Sequence, residues 1–382
     1  MRILQTIAGF GAHSGGTSTC TYDLLSAMHR IGCEVDLMTP QAPDLMGNGE
    51  PWIKALPNDT LTPYGYSVNM NRFLGQSDYD LYHTNGMWMH CNHETCVVAR
   101  KKGKPYVITP HGMLYPQALA RSAWKKKLLL AMGGVDRDLR SAACIHATCD
   151  QEMRHYRALG YKNPVAVISN PVPIPENLLY KEPETQRCGI GYLGRLHPYK
   201  RPDALIKAWA KLGGKTRGQE LVLMGKGTPE YERYLRDLVE ELKLDNVSFP
   251  GMITGDEKFK RLSSLRALCV PSKTENFGMT VAEALIAQTP VICTNTAPWE
   301  DLDAYRCGWW IDNNIDSLAQ SIEHVLELSD TQICEMGKNG LGLVKDKYSD
   351  TQVALKMKRL YEWILDGGEK PEFVYRKAYM AH

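Results

Sequence analysis

The chain of 382 residues is too long for one ordinary hydrophobic core and has the length of two domains of roughly 170 to 200 residues each. Hydrophobic residues make up 43% and charged residues 23%, which is ordinary for a folded protein and excludes a globally disordered chain. The net charge is only +2, but ten Lys and Arg against two Asp between Arg100 and Arg140 give that region a local net charge of +8. This region is therefore a candidate surface for anionic partners.

The cysteine pattern and the first residues indicate a compartment. Eleven cysteines are scattered without a CxxC pair, and some lie in apolar contexts such as that of Cys269, so we expect reduced thiols. The N-terminal ten residues are apolar over too short a stretch for a signal peptide or an anchor, and no run reaches the roughly 18 apolar residues of a membrane span. We expect a cytoplasmic protein, with the inner face of the membrane as a further location if the basic region binds anionic lipid.

Short aliphatic or β-branched runs alternate with longer amphipathic stretches, a pattern typical of βα units around a parallel sheet. In the first half, strands are predicted at Ile3–Ala8, Glu34–Met38, Leu81–Thr84, Tyr106–Thr109, Cys144–Ala147 and Val165–Ile168. In the second half, strands are predicted at Gly189–Leu193, Leu221–Met224, Val247–Phe249, Leu268–Val270, Val291–Cys293 and Trp309–Ile311. The sequence thus predicts an α/β protein with two Rossmann-like, doubly wound domains.

Two segments mark the borders of these domains. Three prolines between Asn170 and Glu176 disfavour both helix and interior strand, and so predict a linker between a domain at residues 1–171 and a second at 186–350. Residues 351–365 carry apolar side chains at helical spacing, and the following Gly367, Gly368 and Pro371 supply a stop. This segment predicts a closing helix.

The first βα junction carries Gly15 and Gly16, directly before a predicted helix. Free backbone N–H groups at a helix start favour the binding of phosphate. The alternative is that the two glycines only make a tight turn.

The second domain opens with two fixed cations, Arg195 and Lys200, just after a predicted strand. Arg195 can bind two phosphate oxygens through its planar guanidinium, and Lys200 can add a point charge. The carboxyl end of a parallel strand is where ligands of such sheets bind, which favours function over a surface charge pair.

Two carboxylates, Glu275 and Glu283, are separated by seven residues across a loop-to-helix junction. The peptide N–H groups of Asn276, Phe277 and Gly278 fall where the helix dipole adds positive potential. This arrangement could bind sugar hydroxyls through Glu275, phosphate or hexose through the N–H groups, and ribose hydroxyls through Glu283.

At these residues the chain resembles the retaining GT-B glycosyltransferases of family four. The resemblance rests on the two glutamates, the Gly15-Gly16 loop, the pair Arg195 and Lys200, and Asn-Pro-Val at 170–172, and it spans the chain. Three further segments, at 109–114, 297–302 and 307–310, are similar to the subgroup that builds bacterial surface polysaccharides, such as lipopolysaccharide and capsule.

The resemblance implies two Rossmann-like domains that face a central cleft, an acceptor-binding N-terminal domain with segment 351–382 packed back on it, and a C-terminal domain for a UDP- or GDP-linked sugar. It implies that Glu283 holds the donor ribose, that Arg195 and Lys200 hold the diphosphate, and that Glu275 and His111 face the transferred sugar. The implied reaction transfers a hexose or related sugar to a hydroxyl of a glycan or lipid-linked glycan with retention, and needs no metal or other cofactor and no nucleic acid.

His111 also stands out by position, since it follows a predicted strand and precedes a glycine at the carboxyl edge of the sheet. The sequence does not determine its tautomer. By contrast, the metal-ligand residue types between His90 and Cys96 lack any zinc spacing and favour an ordinary helix, and no GxSxG nucleophile elbow is present.

Several alternative functions remain open at this point. A dinucleotide-dependent dehydrogenase would need GxGxxG, and the segment at residues 8–13 lacks its third glycine. A two-domain sugar-binding protein would normally carry a signal peptide and needs no diphosphate cations. A nucleotide-sugar epimerase and a sugar phosphorylase share the GT-B fold and are the nearest alternatives.

The segment from Arg121 to Lys127 places four cations beside Trp124 and an aliphatic run. It can be a solvated helix face whose aliphatic residues pack inward. It can also be a surface that binds an anionic membrane, where each Lys or Arg contributes about 1 kcal/mol.

Overall fold

The computed structural model describes residues 1–11, 14–60, 62–120, 123–131, 134–179, 181–182 and 186–376, without the side chains at 125, 127 and 131. The chain divides into two compact units. The first consists of Met1–Pro173 together with Asp350–His382, and the second of Ile174–Ser349.

The first unit begins with seven strands and seven helices. In chain order these are β1 (Arg2–Ile7), α1 (Gly16–Arg30), β2 (Glu34–Pro40), β3 (Ile53–Leu56), α2 (Val68–Gln76), β4 (Leu81–Asn85), α3 (His90–Lys101), β5 (Tyr106–Thr109), α4 (Pro116–Ala120), α5 (Ala123–Ala131), α6 (Val135–Ser141), β6 (Cys144–Ala147), α7 (Asp150–Ala158) and β7 (Val165–Val167) among the described residues.

The second unit follows, and the chain then returns to the first. The second unit contains α8 (Glu176–Leu179), β8 (Ile190–Leu193), α9 (Pro202–Leu212), β9 (Leu221–Met224), α10 (Pro229–Glu241), β10 (Val247–Gly251), α11 (Gly255–Ser263), β11 (Ala267–Val270), α12 (Met279–Ile286), β12 (Val291–Thr294), α13 (Asp301–Ala304), β13 (Gly308–Ile311), α14 (Ile315–Glu327) and α15 (Asp330–Leu343). The returning segment contains α16 (Asp350–Asp366) and β14 (Val374–Tyr375).

Each unit is built on one sheet of mainly parallel strands. The first sheet has the order β14-β7-β6-β5-β4-β1-β2-β3, with only β14 antiparallel to its neighbour, and the second has the order β10-β9-β8-β11-β12-β13. The predicted α/β class with two Rossmann-like halves is confirmed. The strands β3 and β14 were missed because β3 is a half-buried edge strand of four residues and β14 contains only two residues at the opposite edge.

One face of the first sheet is covered by α1 and by the returning helix α16. Buried residues of α16, among them Val353, Met357 and Leu360, pack with Ile3 of β1 and Val107 of β5 in a single hydrophobic cluster. Burial of both faces is the rule for parallel sheets, because each face must be removed from water. The closing helix therefore completes the core of the first unit.

The second sheet is covered on one face by α9 and α14, which contact each other closely. Trp209 of α9 and Ile322 of α14 are fully buried against Leu223 of β9 and Cys269 of β11. The loops at the carboxyl ends of β8 and β11 are thereby held on a rigid support.

Among the residues that the structure describes, no helix combines the length and the apolar character that a membrane span requires.

Candidate active site

The loop after β8 is fixed by close backbone packing. The N–H of Gly194 donates to the carbonyl oxygen of Met224 at 3.0 Å. A side chain at Gly225 would place its Cβ 1.8 Å from the carbonyl oxygen of Gly194, so the two backbones approach as only glycine permits. The hydroxyl of Tyr192 donates to the backbone oxygen of Arg195 at 2.8 Å. The loop that carries Arg195 is thus held in place from two sides.

Four of the residues singled out in the sequence line one cavity of the second unit, with a volume of about 250 Å³. They are Arg195, Lys200, Glu275 and Gly278. The cavity lies at the carboxyl ends of β8 and β11, where a parallel sheet of this kind binds its ligands. Two cations, a carboxylate and a helix start are the groups that a negatively charged, hydroxyl-rich ligand requires.

Glu275 is held by two donors on the same oxygen. The hydroxyl of Ser272 donates to its Oε1 at 2.8 Å, and the ammonium group of Lys200 donates to that oxygen as well. Glu275 is only 9% exposed, so the ion pair compensates a charge that would otherwise be costly to bury. Lys200 is thus paired with the carboxylate, a contact that the sequence did not predict.

The start of α12 is a turn that a glycine and a buried aromatic side chain hold in place. Gly278 caps the helix in the left-handed conformation, with φ of 86°, which favours glycine. The side chain of Phe277 is buried against Trp299, with ring centroids 5.1 Å apart, and the indole N–H of Trp299 donates to the carbonyl oxygen of Phe277 at 2.5 Å. Phe277 therefore anchors the turn through its side chain.

Glu283 lies on α12, outside the lining of this cavity, and has its own cation. Lys258 of α11 donates to Oε1 of Glu283 at 2.7 Å, and both side chains are about one-fifth exposed. Sequence reasoning missed Lys258 because it is 25 residues away and belongs to another helix. Its position shortly after a strand, on the first turn of a helix, is the only signal that the sequence offers.

In the first unit, Gly15 caps α1 with φ of 92°, and Gly16 is the first residue of the helix. A side chain at either glycine would meet no described atom within 4 Å, so both backbones face open space. The helix start is therefore accessible, as phosphate binding requires.

His111 lies directly after β5 in the left-handed region, with φ of 51°, which is uncommon for a non-glycine residue. Its Nε2 is 3.0 Å from Oδ1 of Asn85, the last residue of β4. Burial, and next to it the neighbouring His146, lower the pKa of His111 to about 3. The ring is therefore neutral at physiological pH.

A buried carboxylate supports the same loop and was missed. Glu152 of α7 is fully buried, accepts from the N–H of Gly112, and accepts from the N–H and the hydroxyl of Thr148 at 2.7 and 2.8 Å. Burial raises the pKa of Glu152, whereas these hydrogen bonds lower it. No sequence pattern marks Glu152, because the residue lies inside an ordinary amphipathic helix.

The segment with metal-ligand residue types forms α3, and its side chains have other partners. Nδ1 of His93 is 2.6 Å from Oδ2 of Asp138, and Nε2 of His90 is 2.9 Å from Oδ1 of Asn71. Within the described part of the chain, no group of three or more such residues could hold a metal ion.

Several cations of the basic region are engaged within the protein. Arg100 and Arg140 pair with Asp138 and Asp136 at 2.6 and 2.7 Å, and Lys126 donates to the backbone oxygen of Ala118. Trp124 and Leu128 of α5 are 68% and 49% exposed. Arg121 lies outside the described residues, as do the side chains of Lys125 and Lys127.

Comparison with known proteins identifies two matching families. Residues 15–171 match the family described as glycosyl transferase 4-like domain, and residues 181–361 match the glycosyl transferases group 1. Together the two matches cover most of the chain.

A similar sequence is an uncharacterized glycosyltransferase of Methanocaldococcus jannaschii, 29% identical over 206 residues, which are 50% of this chain and 52% of that protein. The match therefore spans about half the length of this curated relative.

Two solved structures share the fold over nearly the whole chain. HepE of Anabaena in complex with UDP has a TM-score of 0.74 at 17% identity, over 95% of this chain and 100% of that one. Sucrose-phosphate synthase of Thermosynechococcus elongatus has a TM-score of 0.74 at 21% identity, over 96% and 100%.

The neutral histidines of the first unit predict a pH dependence of its stability. Burial lowers the pKa of His146 to about 4, while an unfolded histidine titrates near 6.5. Below pH 6.5 only the unfolded chain takes up this proton, so the stabilisation is complete above that pH and is lost as the pH falls toward 4. In His146→Gln, which can keep both hydrogen bonds, the loss in unfolding free energy between pH 7 and pH 4.5 should be smaller by about 2 kcal/mol.

The measurement is urea unfolding of both proteins at the two pH values, followed by hydrogen exchange in β5 and β6. Groups whose pKa is raised, such as Glu152 and Asp23, act in the opposite direction but contribute equally to both proteins. An unchanged pH dependence in the variant would contradict a neutral, buried His146.

Proposed function

The chain belongs to the GT-B glycosyltransferases of the family-4 type, and from this we propose that it transfers a hexose or related sugar from a nucleoside-diphosphate sugar to an acceptor hydroxyl, with retention of configuration. The observation that carries the proposal is the cavity of the second unit in which Arg195, Lys200, Glu275 and Gly278 meet. Both matching families are glycosyltransferases, and these matches do not favour the alternative of an epimerase.

The leaving group of this reaction is a nucleoside diphosphate, whose negative charge develops as the glycosidic bond breaks. Preorganised cations and N–H dipoles stabilise such charge best, because they need no reorganisation during the reaction. Arg195 supplies a bidentate guanidinium on a fixed loop, and the start of α12 at Gly278 supplies N–H groups and the positive end of the helix dipole. These groups support departure of the diphosphate without a metal ion.

Glu275 is suited to bind hydroxyls of the transferred sugar. An ionised carboxylate offers about four acceptor positions, and Ser272 and Lys200 use two on Oε1. The contacts with Lys200 and Ser272 orient the carboxylate, so that substrate hydroxyls find acceptors in place. We assign the donor ribose to Glu283, whose pairing with Lys258 holds it on the partly exposed side of α12.

In the first unit, the accessible start of α1 at Gly15 and Gly16 is suited to a phosphate group of the donor, and His111 to a hydroxyl of the transferred sugar. The similar HepE structure contains UDP, which favours a uridine nucleotide over a guanosine nucleotide. We propose a glycan or lipid-linked glycan as the acceptor, and surface polysaccharide assembly as the setting.

The two glutamates should give distinct phenotypes. Glu283→Gln should raise the Kd for the nucleoside diphosphate about tenfold with little effect on kcat, because the ribose contact is the same in the ground state and the transition state. Glu275→Gln should lower kcat about 100-fold with little effect on that Kd, because its contacts act on the reacting sugar. The exposed Glu335→Gln on α15 is the matched control.

Calorimetry with UDP and with GDP gives the affinities, and initial rates with a panel of nucleotide-sugars give kcat. An unchanged nucleotide affinity in Glu283→Gln would refute the ribose assignment, whatever the rate.

Turnover should continue in excess chelator, because Arg195, Lys200 and the helix start neutralise the diphosphate in place of a divalent ion. Initial rates with and without chelator should agree within about twofold. Complete loss of activity that added metal restores would contradict a metal-independent reaction.

We further propose that α5 contacts an anionic membrane. Trp124 and Leu128 are spaced four residues apart and so lie on one face of the helix, where both are exposed. Cationic residues surround them in the sequence, and an amphipathic helix with exposed aromatic and aliphatic residues among cations is typical of an interfacial segment. The membrane would bring a lipid-linked acceptor to the enzyme.

Vesicle co-sedimentation tests this assignment. Trp124→Ser/Leu128→Ser and Lys125→Glu/Lys127→Glu should each weaken binding to phosphatidylserine-containing vesicles about tenfold, and only the contribution of the lysines should decrease with salt. The control Leu159→Ser/Leu355→Ser removes two leucines that are each 41% exposed elsewhere in the first unit. Equal binding by wild type and all variants would refute a membrane contact at α5.

A further inference from the structure

A continuous row of buried polar side chains crosses the first sheet on the face covered by α16. Its members are Gln5 of β1, His83 and Asn85 of β4, Thr109 of β5, His146 of β6 and Tyr361 of α16. None is more than 6% exposed. A buried polar group needs a hydrogen-bond partner, so the way these groups are paired is fixed within the row.

One half of the row runs from the carbonyl oxygen of Ile168 toward α16. Nε2 of His146 is 2.8 Å from this oxygen, and Nδ1 of the same ring is 2.8 Å from the hydroxyl of Thr109. That hydroxyl is 2.6 Å from Nε2 of His83. Nδ1 of His83 is in turn 2.6 Å from the hydroxyl of Tyr361.

The other half runs from Tyr361 to the loop after β5. Nε2 of Gln5 donates to the hydroxyl of Tyr361 at 2.9 Å, and Nδ2 of Asn85 donates to Oε1 of Gln5 at 2.8 Å. Oδ1 of Asn85 is 3.0 Å from Nε2 of His111. Tyr361 is therefore the link between the two halves, and His111 is the end of the row.

The carbonyl oxygen of Ile168 determines the direction of the first half. A carbonyl only accepts, so Nε2 of His146 carries its proton, and Nδ1 of this neutral ring must accept from Thr109. The Thr109 hydroxyl then accepts from Nε2 of His83, whose Nδ1 accepts from Tyr361. Each assignment requires a neutral ring, and burial lowers the pKa of both His146 and His83.

Each hydrogen bond of the row again determines the direction of the next beyond Tyr361. Its single hydrogen is given to His83, so its oxygen accepts from the amide N–H of Gln5, and the amide oxygen of Gln5 then accepts from Asn85. The amide oxygen of Asn85 is thereby left facing His111, and it accepts a hydrogen bond from the N–H at Nε2 of that ring. The backbone carbonyl of Ile168, just after β7, thus determines the tautomer of His111, just after β5.

We propose that Tyr361, on the returning helix, is a positioning residue that holds His111 in the Nε2–H tautomer, so that Nδ1 of His111 accepts a hydrogen bond from a substrate hydroxyl. The assignment of the tautomer stands on the hydrogen-bond row alone, whereas its consequence for turnover rests on the proposed function. Without Tyr361, the amide of Gln5 loses the partner that orients it, and both amides and the ring of His111 can reverse together.

The first experiment measures tautomers directly. In protein with ¹⁵N-labelled histidine, two-bond nitrogen–proton correlations distinguish Nε2–H from Nδ1–H rings. Wild type should show His111, His83 and His146 as Nε2–H, and Tyr361→Phe should show a mixture for His111. Tyr82→Phe is the matched control, since Tyr82 is equally buried in the same unit and its hydroxyl bonds to Ser77 instead. An Nδ1–H ring for His111 in wild type, or an unchanged ring in Tyr361→Phe, would overturn the proposal.

A second variant breaks the row without touching α16. Gln5→Met should produce the same mixture for His111 as Tyr361→Phe, and the double variant should be no more mixed than either, because both remove one continuous path. This variant keeps the test decisive if Tyr361→Phe does not fold. Independent, additive effects of the two substitutions would overturn a single row.

Steady-state kinetics then distinguish a failure of the hydrogen-bond row from a failure of the proposed role of His111 in transfer. Tyr361→Phe should lower kcat about tenfold with the donor KM within twofold, and Tyr82→Phe should leave both unchanged. If the tautomer of His111 becomes mixed and kcat does not fall, the row is correct and the proposed role of His111 in transfer is wrong. If kcat falls while the tautomer stays Nε2–H, the positioning role of Tyr361 is wrong.

Discussion

The first unit depends on one constraint: the face of its sheet cannot be buried by the segments that build it. Helix α1 covers part of this face, and the remainder is covered by Val353, Met357 and Leu360 of α16, which come after the whole second unit in the sequence. Full burial of one such side chain contributes roughly 1.5 to 3 kcal/mol, so leaving this face open would cost more than the net stability of many domains. The first unit is consequently discontinuous in sequence, and its core is complete only when both ends of the chain are folded.

On the same face, the buried polar side chains lie toward the carboxyl ends of the strands. Ile3, Leu81 and Val107 occupy the amino-terminal part of this face, whereas Gln5, His83 and Thr109, two residues later on the same three strands, are polar. An apolar row would pack at lower cost, because each buried polar group must find a partner. The polar row is tolerated because it is fully paired, and it connects the core to the loop of His111.

The positions of the strands could be predicted from the sequence, whereas the contacts between distant side chains could not. The bounds of Tyr106–Thr109 and Leu221–Met224 follow from β-branched and aliphatic runs between turn residues and agree with the structure. Arg195 and Glu275 meet in one cavity because each follows a strand of the same parallel sheet, a relation that the alternation of elements already implies. Two contacts, between Lys258 and Glu283 and between Asn85 and His111, depend instead on how particular helices and strands pack. No local sequence pattern predicts such contacts.

The pairing of Lys200 with Glu275 bears on how the proposed donor site would work. If Lys200 were only a phosphate ligand, an isolated cation near Arg195 would suffice, and burying Glu275 beside it would weaken the attraction for a diphosphate. In the proposed function, the contact is useful if Lys200 serves two anions at once, the diphosphate of the donor and the carboxylate of Glu275. Under the proposed function, a cation shared in this way would couple the two parts of the donor, because a diphosphate bound by Lys200 would also fix the carboxylate assigned to the transferred sugar. The hydrogen bond from Ser272 to the same carboxylate oxygen holds Glu275 in place beside Lys200.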